Sequence, residues 1–144
     1  IHTQTEILQR KQEPKDNKNI FVLFLPEDEI HELAILFLNY FILNKGYKTI
    51  FLGQSITTDS LETILTYSTN MKFVTYLTVE PNKEVIDDYF KNFHKLILEN
   101  SDAELAILGP QQIQLDLSKL SPQIKTFRTI EAFEETYFSS RVFV

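Results

Sequence analysis

The sequence predicts an α/β fold in which a parallel sheet is covered by helices on both faces. Three observations carry that prediction. From Ile20 onward, short apolar runs alternate with amphipathic stretches, the texture of repeated βα units. The first run, Ile20 to Leu25, is continuously apolar, as a central strand buried on both faces requires. The runs are punctuated by Pro26, Gly46, Gly53, Pro81 and Gly109-Pro110, which mark short connections.

The elements follow in order. The first strand, Ile20 to Leu25, ends at Pro26, and a helix is expected from about Ile30 to Asn44. Gly46 behind it suits a left-handed helix cap. Lys48 to Leu52 reads as the second strand, stopping at Gly53. A helix from about Asp59 to Thr69 has Asp59 and Glu62 at capping-box spacing and an apolar stripe of Leu61, Ile64 and Leu65. The third strand is Phe73 to Thr78, followed by the loop Glu80-Pro81-Asn82. The helix from about Asn82 to Glu99 puts Ile86, Tyr89, Phe90, Phe93 and Ile97 on one face and Asp87, Asp88, Lys91 and Lys95 on the other. Leu105 to Leu108 is the fourth strand, Ile124 to Thr129 a fifth, edge strand, and Ile130 to Phe138 the last helix. Five such units imply a flavodoxin-like three-layer α/β/α arrangement with a five-stranded parallel sheet of order 2-1-3-4-5.

With 144 residues the chain is expected to hold one domain, residues 20–144. Residues 1–19 read as the end of an upstream helical region, around Ile7 and Leu8, and a polar linker around Pro14. The start at Ile1 suggests that something precedes it. A net charge of -6 argues against this segment gripping nucleic acid. The absence of cysteine excludes disulfides and thiolate metal sites and fits a cytoplasmic protein. The longest nearly apolar run, Leu33 to Leu43, is too short to span a bilayer, so no membrane is expected. That helix is apolar nearly all round. Its outer side is expected to pack on a second copy of the chain or on the upstream helical domain.

Strand order 2-1-3-4-5 brings the ends of strands one, three and four to one crevice, where open α/β sheets bind ligands. His31 is the imidazole expected there, since His2 lies in the tail and His94 on the solvent side of a helix. The residues alone leave two readings of His31 open: a ligand, or a polar helix start flanked by Glu29 and Glu32. Other chemistries lack their residues. A phosphoacceptor domain needs an Asp ending strand three and a Lys ending strand five, where Thr78 and Arg128-Thr129 stand. No Gly-rich phosphate loop follows strand one, and there is no nucleophile elbow. An enzymatic activity of this chain is not expected.

Glu29-x-His31-x-x-Ala34 resembles the Asp/Glu-x-His-x-x-Gly motif of cobalamin-binding domains. Gly46 to Gly53 is similar to that family's second strand. Thr75-Tyr76-Leu77 stands where the family has Ser-x-Leu, and Leu108-Gly109 where it has Gly-Gly. The segment Pro26 to Ala34 most resembles the C-terminal domains of MerR-type transcriptional regulators. The resemblance implies a sensory and oligomerisation domain, with DNA bound only through a domain absent from this chain. It implies cobalamin as cofactor, His31 as its lower axial ligand to cobalt, and Glu29 orienting that histidine. Ala34, Thr75, Leu77, Leu108 and Gly109 would line the pocket for the nucleotide tail. Ala34, Thr75 and Leu108 are larger than the family's residues and are expected to narrow that pocket. Haem on the same histidine, a cofactor-free interaction domain, and a corrinoid-carrying methyltransferase subunit are the alternatives.

Overall fold

The computed structural model describes residues 16–66 and 71–138. The expected upstream helical pattern, most of the linker and the end of the second helix at Thr69 lie outside the described residues. The elements are β1 (Asp16–Pro26), α1 (Leu33–Asn44), β2 (Tyr47–Ile56), α2 (Thr58–Ile64), β3 (Met71–Tyr76), α3 (Ile86–Phe93), β4 (Glu104–Leu108), β5 (Ile124–Thr126) and α4 (Ile130–Phe138). They form one five-stranded sheet of order β2-β1-β3-β4-β5. Every neighbouring pair is parallel. This is the predicted class and strand order.

Strand alternation splits the core into two layers. Val22, Phe24, Phe73, Leu105 and Ile107 face Leu61 of α2 and Phe90 and Phe93 of α3. Phe21, Leu23, Leu25, Val74, Ala106 and Leu108 face Ile35, Leu38 and Ile42 of α1 and Phe133 of α4. The unbroken apolar run of β1 is explained by these two layers, since alternate residues feed both. No described helix is long and apolar enough to cross a membrane.

Several boundaries move for local reasons. β1 opens at Asp16, within the expected linker, through a pairing with Tyr47. α1 begins at Leu33 instead of Ile30, because the Glu29 side chain holds the backbone before it. The cap of α2 is Thr57, whose hydroxyl accepts from Ser60 N–H, and not Asp59. β2 runs through Gly53 to Ile56 by way of register shifts against β1. β3, Met71–Tyr76, lies two residues earlier than expected at the same length, and β5 ends at Thr126, shorter than expected. α3 passes into a π-turn at His94–Leu98, which leaves His94 half-buried instead of solvent-facing. α4 spans the residues expected of it.

α1 leaves Leu33 68% exposed and Phe37 44% exposed, while its inner side is buried. The inner side also carries Asn39, fully buried, with neither amide atom hydrogen-bonded among the described residues. An unpaired buried amide opposes folding by about 1–3 kcal/mol, and asparagine is a weaker helix former than leucine. Asn39→Leu is therefore expected to raise the thermal midpoint by a few degrees, read by circular dichroism. A lower midpoint would show that the amide is satisfied in solution.

Candidate functional site

The site lies at the carboxyl ends of β1, β3 and β4. Behind β1, Pro26 accepts a hydrogen bond from Glu29 N–H, closing a turn that folds the Glu29 side chain inward. Its carboxylate is fully buried. Oε1 accepts from three consecutive backbone N–H groups, Thr78 at 3.1 Å, Val79 at 2.7 Å and Glu80 at 3.0 Å. Oε2 accepts from the backbone N–H of His31 at 2.9 Å and contacts its Nδ1 at 2.8 Å. Burial works to raise the Glu29 pKa. The N–H groups of Val79, Glu80 and His31 and the His31 ring favour the charged form, outweigh burial, and bring it down to about 2.

That carboxylate fixes the histidine. An ionised carboxylate only accepts hydrogen bonds, so Nδ1 carries the proton and, in the neutral ring, Nε2 keeps its lone pair. The His31 side chain is 56% exposed while Glu29 is buried. The result is an oriented imidazole at the surface with one nitrogen free to bind.

Large hydrophobic side chains are exposed at this end of the sheet: Ile30 next to His31 in sequence, Leu33 and Phe37 at the start of α1, Val79 after β3, and Ile113 and Leu117 after β4. Beside this face, a groove of about 1160 Å3 runs between α1 and α4. Phe37 and Phe41 form one wall, Ile130 and Glu134 the other, and Tyr76, Leu108 and Gly109 the floor. Its volume is somewhat above the usual range of about 300–1,000 Å3 for small-molecule sites.

The structure brings Glu29, His31, Leu108 and Gly109 to this end of the sheet. Thr75 and Leu77 go elsewhere. Leu77 is buried in the layer under α2 and α3, and Thr75, two residues before it on the strand, shares that face. The expected narrowing by Thr75 therefore does not occur, because its side chain points away from the α1–α4 groove. Ala34 is half-buried on the first turn of α1 and is not among the groove-lining residues. Leu108 alone of the three enlarged positions touches the groove, as its floor, and leaves it open.

Sequence reasoning missed the parts made of backbone. The N–H groups of 78–80 form the seat of Glu29, yet a row of main-chain donors has no side-chain signature. Gln111 was missed too. Its Nε2 donates to Pro81 O at 2.9 Å and its backbone N–H to Leu77 O at 3.0 Å. Among the described residues, no group of three or more His, Asp or Glu is placed to hold a metal ion.

Comparison with solved structures decides the fold. The monomethylamine corrinoid protein of Methanosarcina barkeri superposes with a TM-score of 0.63 at 12% identity, over 94% of this chain and 62% of that one. The fold is that of corrinoid proteins. A cobalamin-binding protein from Desulfitobacterium hafniense DCB-2 gives a TM-score of 0.51 at 16% identity, over 74% of this chain and 53% of that one. This cobalamin-binding-type fold thus corresponds to only 62% and 53% of those two chains. No protein-family model matches the sequence, and no curated protein does.

Proposed function

We propose that this chain is a cobalamin-binding domain in which His31 is the lower axial ligand. The observation that carries the reading is the Glu29–His31 pair, with Nδ1 held by a buried carboxylate and Nε2 free at the surface. A single imidazole is a poor site for a bare ion, and among the described residues no group of three or more His, Asp or Glu could hold one. It suits a metal that arrives already held by a macrocycle, where the protein supplies one axial position. The exposed Ile30, Leu33 and Val79 would suit a flat apolar ring, and the groove at the same end of the sheet, though not lined by His31, would have room for a second arm such as a nucleotide tail. That arm favours cobalamin over haem. A bound cobalamin supplies the chemistry of a cobalt–carbon bond. Of the chain's own residues, His31 would hold the group, Glu29 would orient that imidazole, and the exposed Ile30 and Val79 would offer it apolar contact.

The wider setting we propose is the sensory and oligomerisation domain of a MerR-type regulator. Its support is the acidic, Pro-led segment from Pro26 to Ala34 together with the outward apolar side of α1, which offers Leu33 and Phe37 to a second copy or to upstream helices. DNA would be reached through another domain. Likeness to the monomethylamine corrinoid protein favours one second reading, a corrinoid-carrying subunit of a methyltransferase.

Incubation with adenosyl-, methyl- or hydroxocobalamin, followed by desalting and a visible spectrum, tests the proposal. A retained corrin band that is lost in His31→Ala is expected. A colourless wild-type protein after every incubation would contradict cobalamin binding. Mass by light scattering then separates the settings: a ligand-dependent change of oligomeric state supports the regulator, and a constant mass the carrier.

A further inference from the structure

We infer that Gln111 is a positioning residue for the His31 imidazole, acting through the backbone seat of Glu29. The seat is residues 78–80, and Gln111 clasps it at both ends. Its backbone N–H donates to Leu77 O at 3.0 Å, just before the seat. Its side-chain Nε2 donates to Pro81 O at 2.9 Å, just after it. Leu77 is tied further by its own N–H, which donates to Leu108 O at 2.8 Å. Pro81 is buried, so its carbonyl has a fixed place to meet the amide.

The three N–H groups point together at Glu29 Oε1 only while the backbone from Leu77 to Pro81 keeps its curvature. Three convergent main-chain donors form a small anion-binding concavity. Opening one end of the clasp spreads the donors, loosens the carboxylate, and frees the His31 ring to change tautomer. Gln111 bonds Leu77 and Pro81, not Glu29 or His31, and it sits on the turn Pro110–Gln114, which also walls the groove. The His31 tautomer is thus set by a residue from the far side of the crevice.

The inference rests on the reading of His31 as a ligand only for its use, because the imidazole can be observed without cofactor. The test is long-range 1H–15N correlation of the histidine rings in the cofactor-free chain, with the His31 signals assigned by their loss in His31→Gln. The wild type is expected to show the Nδ1–H tautomer. Gln111→Ala, and the isosteric Gln111→Glu, which loses the donor at neutral pH, are expected to shift His31 to the Nε2–H tautomer or to an average. Gln123→Ala serves as control for mere destabilisation. Its side chain donates to Leu98, Ser101 and Ala103 carbonyls at the opposite end of β4, and its His31 pattern is expected to stay that of the wild type. An unchanged tautomer in both folded Gln111 variants, or an equal shift in Gln123→Ala, would overturn the inference. The proposed cobalamin binding would fail separately, through a colourless wild type.

Discussion

Gly109→Ala is expected to destabilise the fold by about 2–6 kcal/mol, the largest effect of any single substitution at this site. Two terms add. Gly109 has φ of +98° and ψ of 157°, a region that is essentially glycine-only and costs about 1–3 kcal/mol for other residues. A Cβ there would also overlap the backbone oxygen, nitrogen and carbonyl carbon of Leu77. Those atoms belong to a fixed main chain, with Leu77 N–H bonded to Leu108 O and Leu77 O to Gln111 N–H, so they cannot swing aside as a side chain would. Overpacking of this kind adds about 1–3 kcal/mol. Denaturant unfolding of wild type and variant checks the sum. Because Gly109 is the floor of the groove and braces Leu77, the residue before the Glu29 seat, ligand retention should fall with it. A loss below about 1 kcal/mol would mean that the turn after β4 rearranges freely.

Glu29 gives the second large effect, and it is visible in acid. Its folded pKa, about 2, lies below the ordinary value of 4.5. A depressed carboxylate contributes stability that is fully present above pH 4.5 and disappears as pH falls toward 2. Between those values the unfolded chain holds the proton and the folded chain does not, so stability declines as pH falls by about 1.4 kcal/mol per unit. The whole step is about 3 kcal/mol. Other carboxylates also titrate there, so the expected result is a difference: the gap between wild type and Glu29→Gln shrinks on acidification. At neutral pH Glu29→Gln must set an amide NH2 against either the 78–80 donors or the His31 donors. One unpaired buried donor costs about 1–3 kcal/mol. The tautomer of His31 is no longer imposed, and affinity for an axially bound metal should drop about 10- to 100-fold, as when such a supporting partner is lost. A pH-independent gap between the two proteins would mean that Glu29 is not buried as an anion.

What could be read from the sequence, and what could not, divides along physical lines. The strand order and both layers follow from local patterning, because residues such as Ile20 to Leu25 and the stripe from Ile86 to Ile97 have one stable place each. Element ends did not follow, since they are set by single side chains. Glu29 delays α1 by three residues, and Thr57 caps α2 ahead of Asp59. At the site, Glu29 and His31 were legible because they lie two residues apart on one loop. The seat at 78–80 and the clasp from Gln111 were not, since they are long-range contacts to main-chain atoms. The pocket residues were half legible. Leu108 and Gly109 stand at the groove, but strand alternation puts Thr75 on the other face of β3, and Leu77, just past the strand, is buried in that same layer.

The proposed bond between His31 and cobalt is read directly by electron paramagnetic resonance of cob(II)alamin bound to the chain. The unpaired electron of cobalt couples to the nitrogen of its lower axial ligand, giving three-line splitting with 14N and two-line splitting with 15N. Protein labelled with 15N at histidine and loaded with unlabelled cobalamin is expected to show the two-line pattern, and His31→Ala to abolish it. A three-line pattern in the labelled protein would mean that the cofactor keeps its own base as ligand, and would contradict the assignment of His31.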